Sequence, residues 1–385
     1  MKASRFISRR LKFQGNVAAV AIAVSFFVMI VALAVSSGFR HAVRDGVAAM
    51  VGDIRIVPLD QGTGEDVSMP RHLPSEEAVL SIPGVKALHP AVLRSGIVKD
   101  GDVIHGVVVK GVERPDSALA VSVPERLSRI TGVGEGGTLT TYFIGERVRV
   151  RKFLVTHVHH DLVEMDDNLL VYANLQDVQR LNGWDENQVS CLEVEVKADY
   201  RSRERLDNLA ATIGARLLGS GYEEEESLYV TSSAKAYPQV FDWLELINSN
   251  VLAILVLMTI VAGFNMISGL LILLLRNIST IGTLKTLGME DSSVGGVFVR
   301  VASGVVLKGM LAGHALALLF CLVQGTTHLI PLDPANYFVS WVPVHIDVLW
   351  ILAADVIAFL VILALLFLTA RYVSRIDPAV SVKAD

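Results

Sequence analysis

Four long stretches of this sequence have almost no charged side chains, and each is long enough to cross a lipid bilayer as a helix. Residues 17–38 and 248–275 contain no ionisable side chain, whereas 301–323 contains Lys308 and His314, and 348–370 contains Asp355. A helix needs roughly 20 apolar residues to cross about 30 Å of hydrocarbon. The whole chain is 52% hydrophobic and 19% charged, which is too apolar for an ordinary soluble enzyme. The pattern therefore predicts a membrane protein with four spans.

Basic residues near the span ends predict the orientation. Residues 1–16 carry several Lys and Arg and no acid, the 276–300 connection and the 371–385 tail are also basic, and 325–346 has neither Lys nor Arg. Because cytoplasmic loops are enriched in Lys and Arg, both termini are expected in the cytoplasm. The first span also resembles a secretory signal with a cleavage site at Ala32-Leu33-Ala34. Cleavage there would remove one span but would still leave the next segment outside.

These features predict an α-helical integral membrane protein with four transmembrane helices and a large α+β extracytoplasmic domain between helices 1 and 2. The expected boundaries are 1–16 for the basic cytoplasmic segment, 17–38 for the first span, 39–243 for the external domain, 244–275 for the second span, 276–300 for a cytoplasmic loop, 301–324 for the third span, 325–346 for a short external loop, 347–370 for the fourth span and 371–385 for a cytoplasmic tail.

The external segment alternates between strand-like and helix-like patterns, as an α+β domain of one body or two lobes would. Val-rich strand-like runs are found at 53–59, 103–112, 148–160, 168–175 and 191–197, and helix-like runs at 75–82, 175–181 and 202–219. Ser75 is a candidate helix cap, and the acidic run 223–226 is expected to be a solvated turn. The helix of the first span continues past the membrane, and Pro238 is well placed to start a helix that runs to Leu275. That second helix would be about 57 Å long, so both helices are expected to project from the bilayer as stalks.

The run Thr156-His157-Val158-His159-His160-Asp161 nearly matches the T-H-x-H-x-D-H signature of metallo-hydrolases. Such sites need further convergent ligands. The final histidine of the motif is replaced by Leu162, and no histidine follows before His314, which lies in a predicted span. We therefore interpret the run as part of a strand. Adventitious or regulatory metal binding and a hydrolase active site are the alternatives. No metal and no cofactor is predicted.

Other motifs exclude several activities. The sequence has no G-x-x-x-x-G-K-[ST] phosphate loop and no G-x-S-x-G nucleophile elbow. Cys191 and Cys321 fall in different segments, so a disulfide is not expected. A net charge of −5 gives no basis for nucleic-acid binding. Lys308, His314 and Asp355 lie within spans, where ionisable groups either pair with neighbouring helices or line a proton or ion pathway.

The connection between the second and third spans contains a short amphipathic helix by its pattern. Ile281-Gly282-Thr283-Leu284-Lys285-Thr286-Leu287-Gly288 is expected to be helical and to end at Gly288, with Ile281, Leu284 and Leu287 along one side. An apolar edge at the inner membrane surface suits docking into a groove of a partner protein. A plain interfacial linker is the alternative.

The layout and this loop resemble the MacB/FtsX-like permeases of ABC transporters. "STIGTLKTLG" at 279–288 is similar to their coupling segment, although Ser279 or Thr280 stands where an acid is expected, and "IDPA" at 376–379 is similar to their C-terminal ending. "SSGFRHAV" at 36–43, "GDIRIVP" at 52–58 and "VVVKGVERP" at 107–115 resemble elements of the lipoprotein-releasing LolC/LolE branch.

The resemblance implies a permease subunit without ATPase activity of its own. It also implies a location in the bacterial inner membrane, with the 39–243 domain and the 325–346 loop in the periplasm and with 276–300 as the cytoplasmic coupling loop. Its implied partners are a cytoplasmic ABC ATPase dimer that pushes on 281–288, a second permease copy or paralogue, membrane lipids, a lipoprotein substrate and a periplasmic carrier. Acyl chains would enter between the first two spans, and the apolar candidates for that cavity are Val24, Phe27, Val28, Ile254, Met258 and Phe264. Export of small molecules or peptides and activation of cell-wall hydrolases are alternatives within the family. A membrane-anchored sensor or scaffold is the alternative of another class.

Overall fold

A computed structural model of the chain describes residues 16–59, 67–113, 118–145, 148–159 and 169–373. The chain divides into two compact units. Of the described residues, 16–41, Leu244–Pro331 and 341–373 form a membrane unit, and those within Ala42–Trp243 and Leu332–Ser340 form an external unit.

The described residues form helices and strands in an order that confirms an α+β domain between the first two long helices. The helices are α1 (Asn16–Val51), α2 (Glu76–Leu80), α3 (Glu125–Thr131), α4 (Leu175–Asn182), α5 (Arg203–Leu218), α6 (Glu223–Glu226), α7 (Ser233–Ala236), α8 (Pro238–Arg276), α9 (Ile278–Thr286), α10 (Asp291–Thr327), α11 (Pro334–Tyr337) and α12 (Val348–Val373). The strands are β1 (Ile54–Pro58), β2 (Met69–Pro70), β3 (Val85–Asp100), β4 (Val103–Val112), β5 (Ala120–Pro124), β6 (Thr138–Phe143), β7 (Arg149–His159), β8 (Leu169–Asn174), β9 (Gln188–Val189), β10 (Cys191–Val196) and β11 (Leu228–Ser232).

Among the described residues, four helices are long and apolar enough to cross a membrane, namely α1, α8, α10 and α12, and this confirms the predicted spans. Helix α8 begins at Pro238 as predicted. Helix α10 begins at Asp291, well before the predicted start of the third span at residue 301. Its first turns place Val294, Val297 and Phe298 in the protein interior at helical spacing. A search for long segments without charged residues does not detect an amphipathic helix start of this kind.

The membrane unit has one principal core, to which all four long helices contribute. Its fully buried members include Ile22, Phe26, Met266, Leu270, Phe298, Val306, Ile362 and Leu366. Since lipid tails are as apolar as these side chains, close packing holds such helices together more than a hydrophobic driving force does.

The external unit contains a nine-stranded sheet in the order β11-β1-β10-β3-β4-β8-β5-β7-β6, with a further pairing between β3 and β6. That pairing closes the β3-to-β6 part of the sheet on itself. Gly96 permits the closure, because a Cβ atom there would lie 2.8 Å from Thr141 Cγ2 and 3.0 Å from the Phe143 ring. A smaller sheet pairs β2 with β9.

Two local predictions in this unit are wrong. Ser75 makes no side-chain cap bond in α2; its hydroxyl and its backbone N–H both donate to the carboxylate of Glu225. The acidic run is a short helix, α6, rather than a turn; Glu223, Glu224 and Glu226 are exposed as predicted, but Glu225 is completely buried. A buried carboxylate is stable only when hydrogen-bonded, and Ser75 supplies those bonds.

Both cysteines are free and buried. Burial raises the pKa of the Cys191 thiol to about 11, so that this side chain stays a thiol at neutral pH.

Candidate functional site

The segment between the second and third spans folds as the short helix α9, which is followed by a sharp turn. The helix begins one turn earlier than predicted, at Ile278, and ends at Thr286. Leu287 N–H donates to Thr283 O at 3.1 Å and Gly288 N–H donates to Lys285 O at 2.9 Å, which satisfies carbonyls of the last turn. Gly288 has a φ of 84°, a left-handed conformation that glycine adopts without strain, so the predicted role of Gly288 in ending the helix is confirmed.

The three apolar side chains predicted on one side of this segment differ in exposure where they are described. Ile281 is half-buried against the core of the membrane unit, whereas Leu287 is 79% exposed just after the helix. The side chain of Leu284 lies outside the described residues. Thr283, Thr286 and Gly288 are also exposed. Ile281 therefore anchors α9 to the bundle, and the surface available to a partner is the exposed end formed by Thr283, Thr286, Leu287 and Gly288.

Two glycines of α10 bring that helix into backbone contact with α1. A Cβ atom on Gly309 would lie 2.8 Å from Ala19 O, and a Cβ atom on Gly313 would lie 2.6 Å from Ala23 O. Their four-residue spacing places both on one face of α10. This is the small-residue pattern through which membrane helices approach closely, and it fixes the position of the first span against the third.

The chain that precedes α12 is docked onto the outer part of α1. His345 N–H donates to Ala34 O at 3.0 Å. A Cβ atom on Gly38 would lie 2.3 Å from Pro343 O, so only glycine fits there. The rings of His41 and His345 are 4.1 Å apart between centroids. These contacts give a physical role to the glycine of the "SSGF" element.

His314 and Asp355 form a polar pair between α10 and α12 inside the membrane unit. Asp355 is 3% exposed, and its Oδ2 lies 2.7 Å from His314 Nε2. His314 Nδ1 lies 2.8 Å from Met310 O, which can only accept, so Nδ1 carries a hydrogen. A hydrogen bond between Nε2 and Oδ2 therefore joins α10 to α12. Of the two sequence interpretations for Asp355, this contact supports pairing between helices.

Replacing Asp355 by Leu is expected to lower the free energy of unfolding by about 2 kcal/mol, because His314 Nε2 then has no partner in an apolar interior. The double variant His314→Leu/Asp355→Leu should recover at least part of this loss, since neither polar group remains. Thermal unfolding of the purified chain in detergent measures both effects. Lys308→Leu, on the exposed face of α10, is the control. A single variant as stable as the wild type would contradict the assigned pairing.

The candidates for an acyl-chain cavity are distributed over both packed and exposed faces. Val24 and Phe264 are exposed, at 55% and 65%. Phe27 packs edge-on against Phe320 of α10, with ring centroids 6.1 Å apart, and Met258 is half-buried against the main core. Val28 and Ile254 are half-buried. Val24 and Phe264 are thus open to lipid or cargo, whereas Phe27 and Met258 contribute to helix packing.

The described part of the histidine run lies on a strand, which confirms the strand interpretation for His157 and His159. His157 and His159 lie on β7, while His160, Asp161 and Leu162 are outside the described residues. His157 is exposed and pairs with Glu135 at 3.2 Å, and His159 Nδ1 lies 2.8 Å from Ser122 Oγ. Within the described ranges, no three His, Cys, Asp or Glu side chains form a group that could hold a metal ion.

Several residues that organise the membrane unit were not predicted from the sequence. The four-residue spacing of Gly309 and Gly313 is a signal that a search for small residues in spans would have found. The docking of residues 343–345 on Gly38 joins segments far apart in the chain, and no local pattern indicates it.

Comparisons with known proteins find several similarities. Residues 252–378 match the family described as FtsX-like permease C-terminal. The lipoprotein-releasing system transmembrane protein LolE of Haemophilus influenzae is 22% identical over 396 aligned residues, which cover 94% of this chain and 92% of that protein. Among solved structures, the periplasmic region of MacB from Actinobacillus actinomycetemcomitans covers 50% of this chain and 95% of its own, with 14% identity and a TM-score of 0.30. The extracellular domain of the ABC-type transporter YknZ from Gram-positive bacteria covers 46% and 99%, with 11% identity and a TM-score of 0.29.

Proposed function

We propose that this chain, an ABC transporter permease of the FtsX/LolE type with its large domain on the periplasmic side of the inner membrane, releases lipoproteins from the outer leaflet and passes them to a periplasmic carrier. In this proposal a cytoplasmic ATPase supplies the energy, as the resemblance to ABC transporter permeases implies, and the sequence itself contains no phosphate-binding loop. Two permeases, either two copies or two paralogues, act together with an ATPase dimer.

The exposed end of α9 is the observation that supports coupling to an ATPase. Leu287 is 79% exposed, next to a segment whose Arg276, Lys285 and Arg300 assign it to the cytoplasmic side. Isolated apolar side chains at the surface are common, but this one directly follows a short helix that is anchored to the bundle through Ile281. A movement of a partner protein against α9 would therefore displace the membrane helices directly.

The helices that precede and follow the external domain in the sequence are longer than the bilayer is thick. Helix α1 has 36 residues and α8 has 39, which correspond to about 54 and 58 Å at 1.5 Å per residue. A bilayer has about 30 Å of hydrocarbon. Both helices are thus long enough to carry a displacement from the membrane to the chain outside it.

The lipoprotein cargo is supported by similarity along nearly the whole chain and by apolar exposure. The likeness to LolE extends over 94% of this chain, so it includes the external domain as well as the spans. The exposed faces of α1 and α8 carry large apolar side chains, among them Val20, Val24, Leu257, Ile260 and Phe264. These faces suit acyl chains, which a lipoprotein presents and a soluble peptide does not.

Reconstitution with a purified ATPase tests the proposal. The chain is inserted into liposomes with the ATPase that copurifies with it and a fluorescent triacylated lipoprotein, and ATP-dependent appearance of the lipoprotein on a soluble carrier is measured. Release that requires ATP supports the proposal. ATP hydrolysis that responds to a peptide or small molecule but not to the lipoprotein would overturn the cargo assignment, and the absence of any copurifying ATPase would favour a scaffold.

A further inference from the structure

The C-terminal end of α1 lies in the external unit, where side chains from three strands donate hydrogen bonds to its last carbonyl groups. A helix leaves its final carbonyls without intrahelical partners. Here Gly52 N–H donates to Ala48 O at 2.8 Å. Lys110 Nζ donates to Ala49 O at 3.0 Å and to Met50 O at 3.1 Å.

Two further side chains complete the set. Arg55 Nε donates to Val51 O at 3.1 Å, and the Tyr172 hydroxyl donates to Ala49 O at 3.2 Å. Lys110 belongs to β4, Arg55 to β1 and Tyr172 to β8. Every backbone carbonyl from Ala48 to Val51 therefore accepts a hydrogen bond. Apart from the Gly52 N–H, all of the donors are side chains of the nine-stranded sheet.

At this contact between the end of α1 and the sheet, Lys110 and Glu193 are buried and Arg55 is half-buried, and their charges are balanced. Lys110 is 2% exposed, and its third N–H is directed to Glu193 Oε2 at 2.8 Å, so that all three hydrogens of its ammonium group are bonded. Arg55 Nη2 lies 3.1 Å from the other oxygen of Glu193. Glu193 thus balances one of the two positive charges, and the second faces the negative end of the α1 helix dipole.

A second connection lies about two turns earlier on α1. Arg201 Nη1 lies 2.9 Å from Asp45 Oδ1 on the helix, and Arg201 Nε lies 3.3 Å from Asp53 Oδ2. The same oxygen of Asp53 accepts the Val196 N–H of β10 at 3.0 Å. The last two turns of α1 are therefore connected to the sheet at both of their ends.

A buried lysine is a poor choice if packing is the only requirement, because an apolar side chain of similar length fills the space without the cost of desolvating a charge. Lysine provides what an apolar side chain lacks, namely directional bonds from one atom to two helix carbonyls and to a carboxylate of another strand. Bonds of this kind resist both pulling and rotation of the helix end.

We propose that Lys110 is a positioning residue that locks the outer end of α1 to the external sheet, so that a displacement of the first span moves the sheet with it. The expected effect on transport rests on the proposed function. The contacts between Lys110 and α1 do not depend on any cargo.

The test compares Lys110→Met with Lys86→Met in the full-length chain. Lys110→Met keeps the Arg55–Glu193 pair and keeps one donor on each affected carbonyl, through Tyr172 and Arg55. Lys86 pairs with Glu195 at the surface, where 59% of its side chain is exposed, so its replacement removes a lysine without touching α1. Spin labels at Ala49→Cys and Val103→Cys, both exposed positions of the external unit, report the distance between the end of α1 and the sheet.

Lys110→Met is expected to broaden the distance distribution between the labels, and Lys86→Met is expected to leave it unchanged. With the ATPase present, Lys110→Met should lower the amount transported per ATP about tenfold, in the range of ordinary coupling free energies, while ATP hydrolysis continues at the wild-type rate. A merely structural defect would lower hydrolysis and transport together.

An unchanged distance distribution in Lys110→Met would overturn the inference, and so would an unchanged ratio of transport to hydrolysis. If Lys110→Met does not accumulate, Asp45→Asn loosens the second connection at a side chain that is 46% exposed, and the same broadening is expected. The distance measurement needs neither ATPase nor cargo. Failure of the transport proposal would therefore leave the distance result intact and interpretable.

Discussion

Replacing Leu287 by Glu is expected to weaken strongly the association of this chain with the ATPase proposed above while leaving the fold intact. Leu287 is 79% exposed at the end of α9, so the permease itself tolerates a charge there. In the complex the same charge would be buried without a partner. The loss should be at least about 2 kcal/mol, or roughly 30-fold in affinity, as for a central interface residue. Copurification of the ATPase and its stimulation by the permease measure the effect.

Gly282→Ala is the matched control on the same helix. A Cβ atom at Gly282 has no atom within 4 Å, so alanine fits and should favour the helix slightly. This variant should bind the ATPase as well as the wild type does. If Leu287→Glu also binds and stimulates the ATPase normally, the exposed end of α9 is not the contact surface, and the coupling proposal fails at its first step.

Replacing Gly313 by Leu is expected to destabilise the membrane unit by about 3 kcal/mol or more, because the new side chain would collide with backbone. Its Cβ atom would lie 2.6 Å from Ala23 O and 3.1 Å from Phe27 N, and neither atom can move without shifting α1. Both the thermal midpoint in detergent and the monodisperse fraction should fall sharply.

Gly304→Leu offers the comparison, since the same substitution on the same helix meets no atom within 4 Å. This variant should remain as stable as the wild type. Equal stability of the two leucine variants would show that α1 and α10 do not pack through Gly313, whatever the reason for the glycine there.

The architecture could be predicted largely from the length of segments without charged residues and from the strand-like or helix-like periodicity of apolar residues. The four long helices, the start of α8 at Pro238 and strands such as β4 and β8 follow from these patterns. Strand β3 is less evident, because Pro90 and Gly96 interrupt a run that otherwise suits a sheet. The early start of α10 was missed because amphipathic turns before a span carry charges.

The candidate sites were less predictable, for physical reasons that differ from residue to residue. The end of α9 follows from a local glycine signal, so the position of Gly288 was correct. The division of α9 into an anchored Ile281 and an exposed Leu287 depends on which helices lie beside it. Buried Glu225 and buried Lys110 could not be recognised, because their partners are supplied by residues far away in the sequence.

The docking of residues 343–345 onto α1 restricts how this membrane unit can be engineered. The backbone of Pro343 occupies the space where any side chain at position 38 would begin, and His345 N–H is bonded to Ala34 O. The first span is consequently not an interchangeable anchor. A chimera that takes its first span from another protein would assemble only under one of two conditions. Either the new helix has glycine at the position equivalent to Gly38, or the segment that leads into the fourth span is transferred with it.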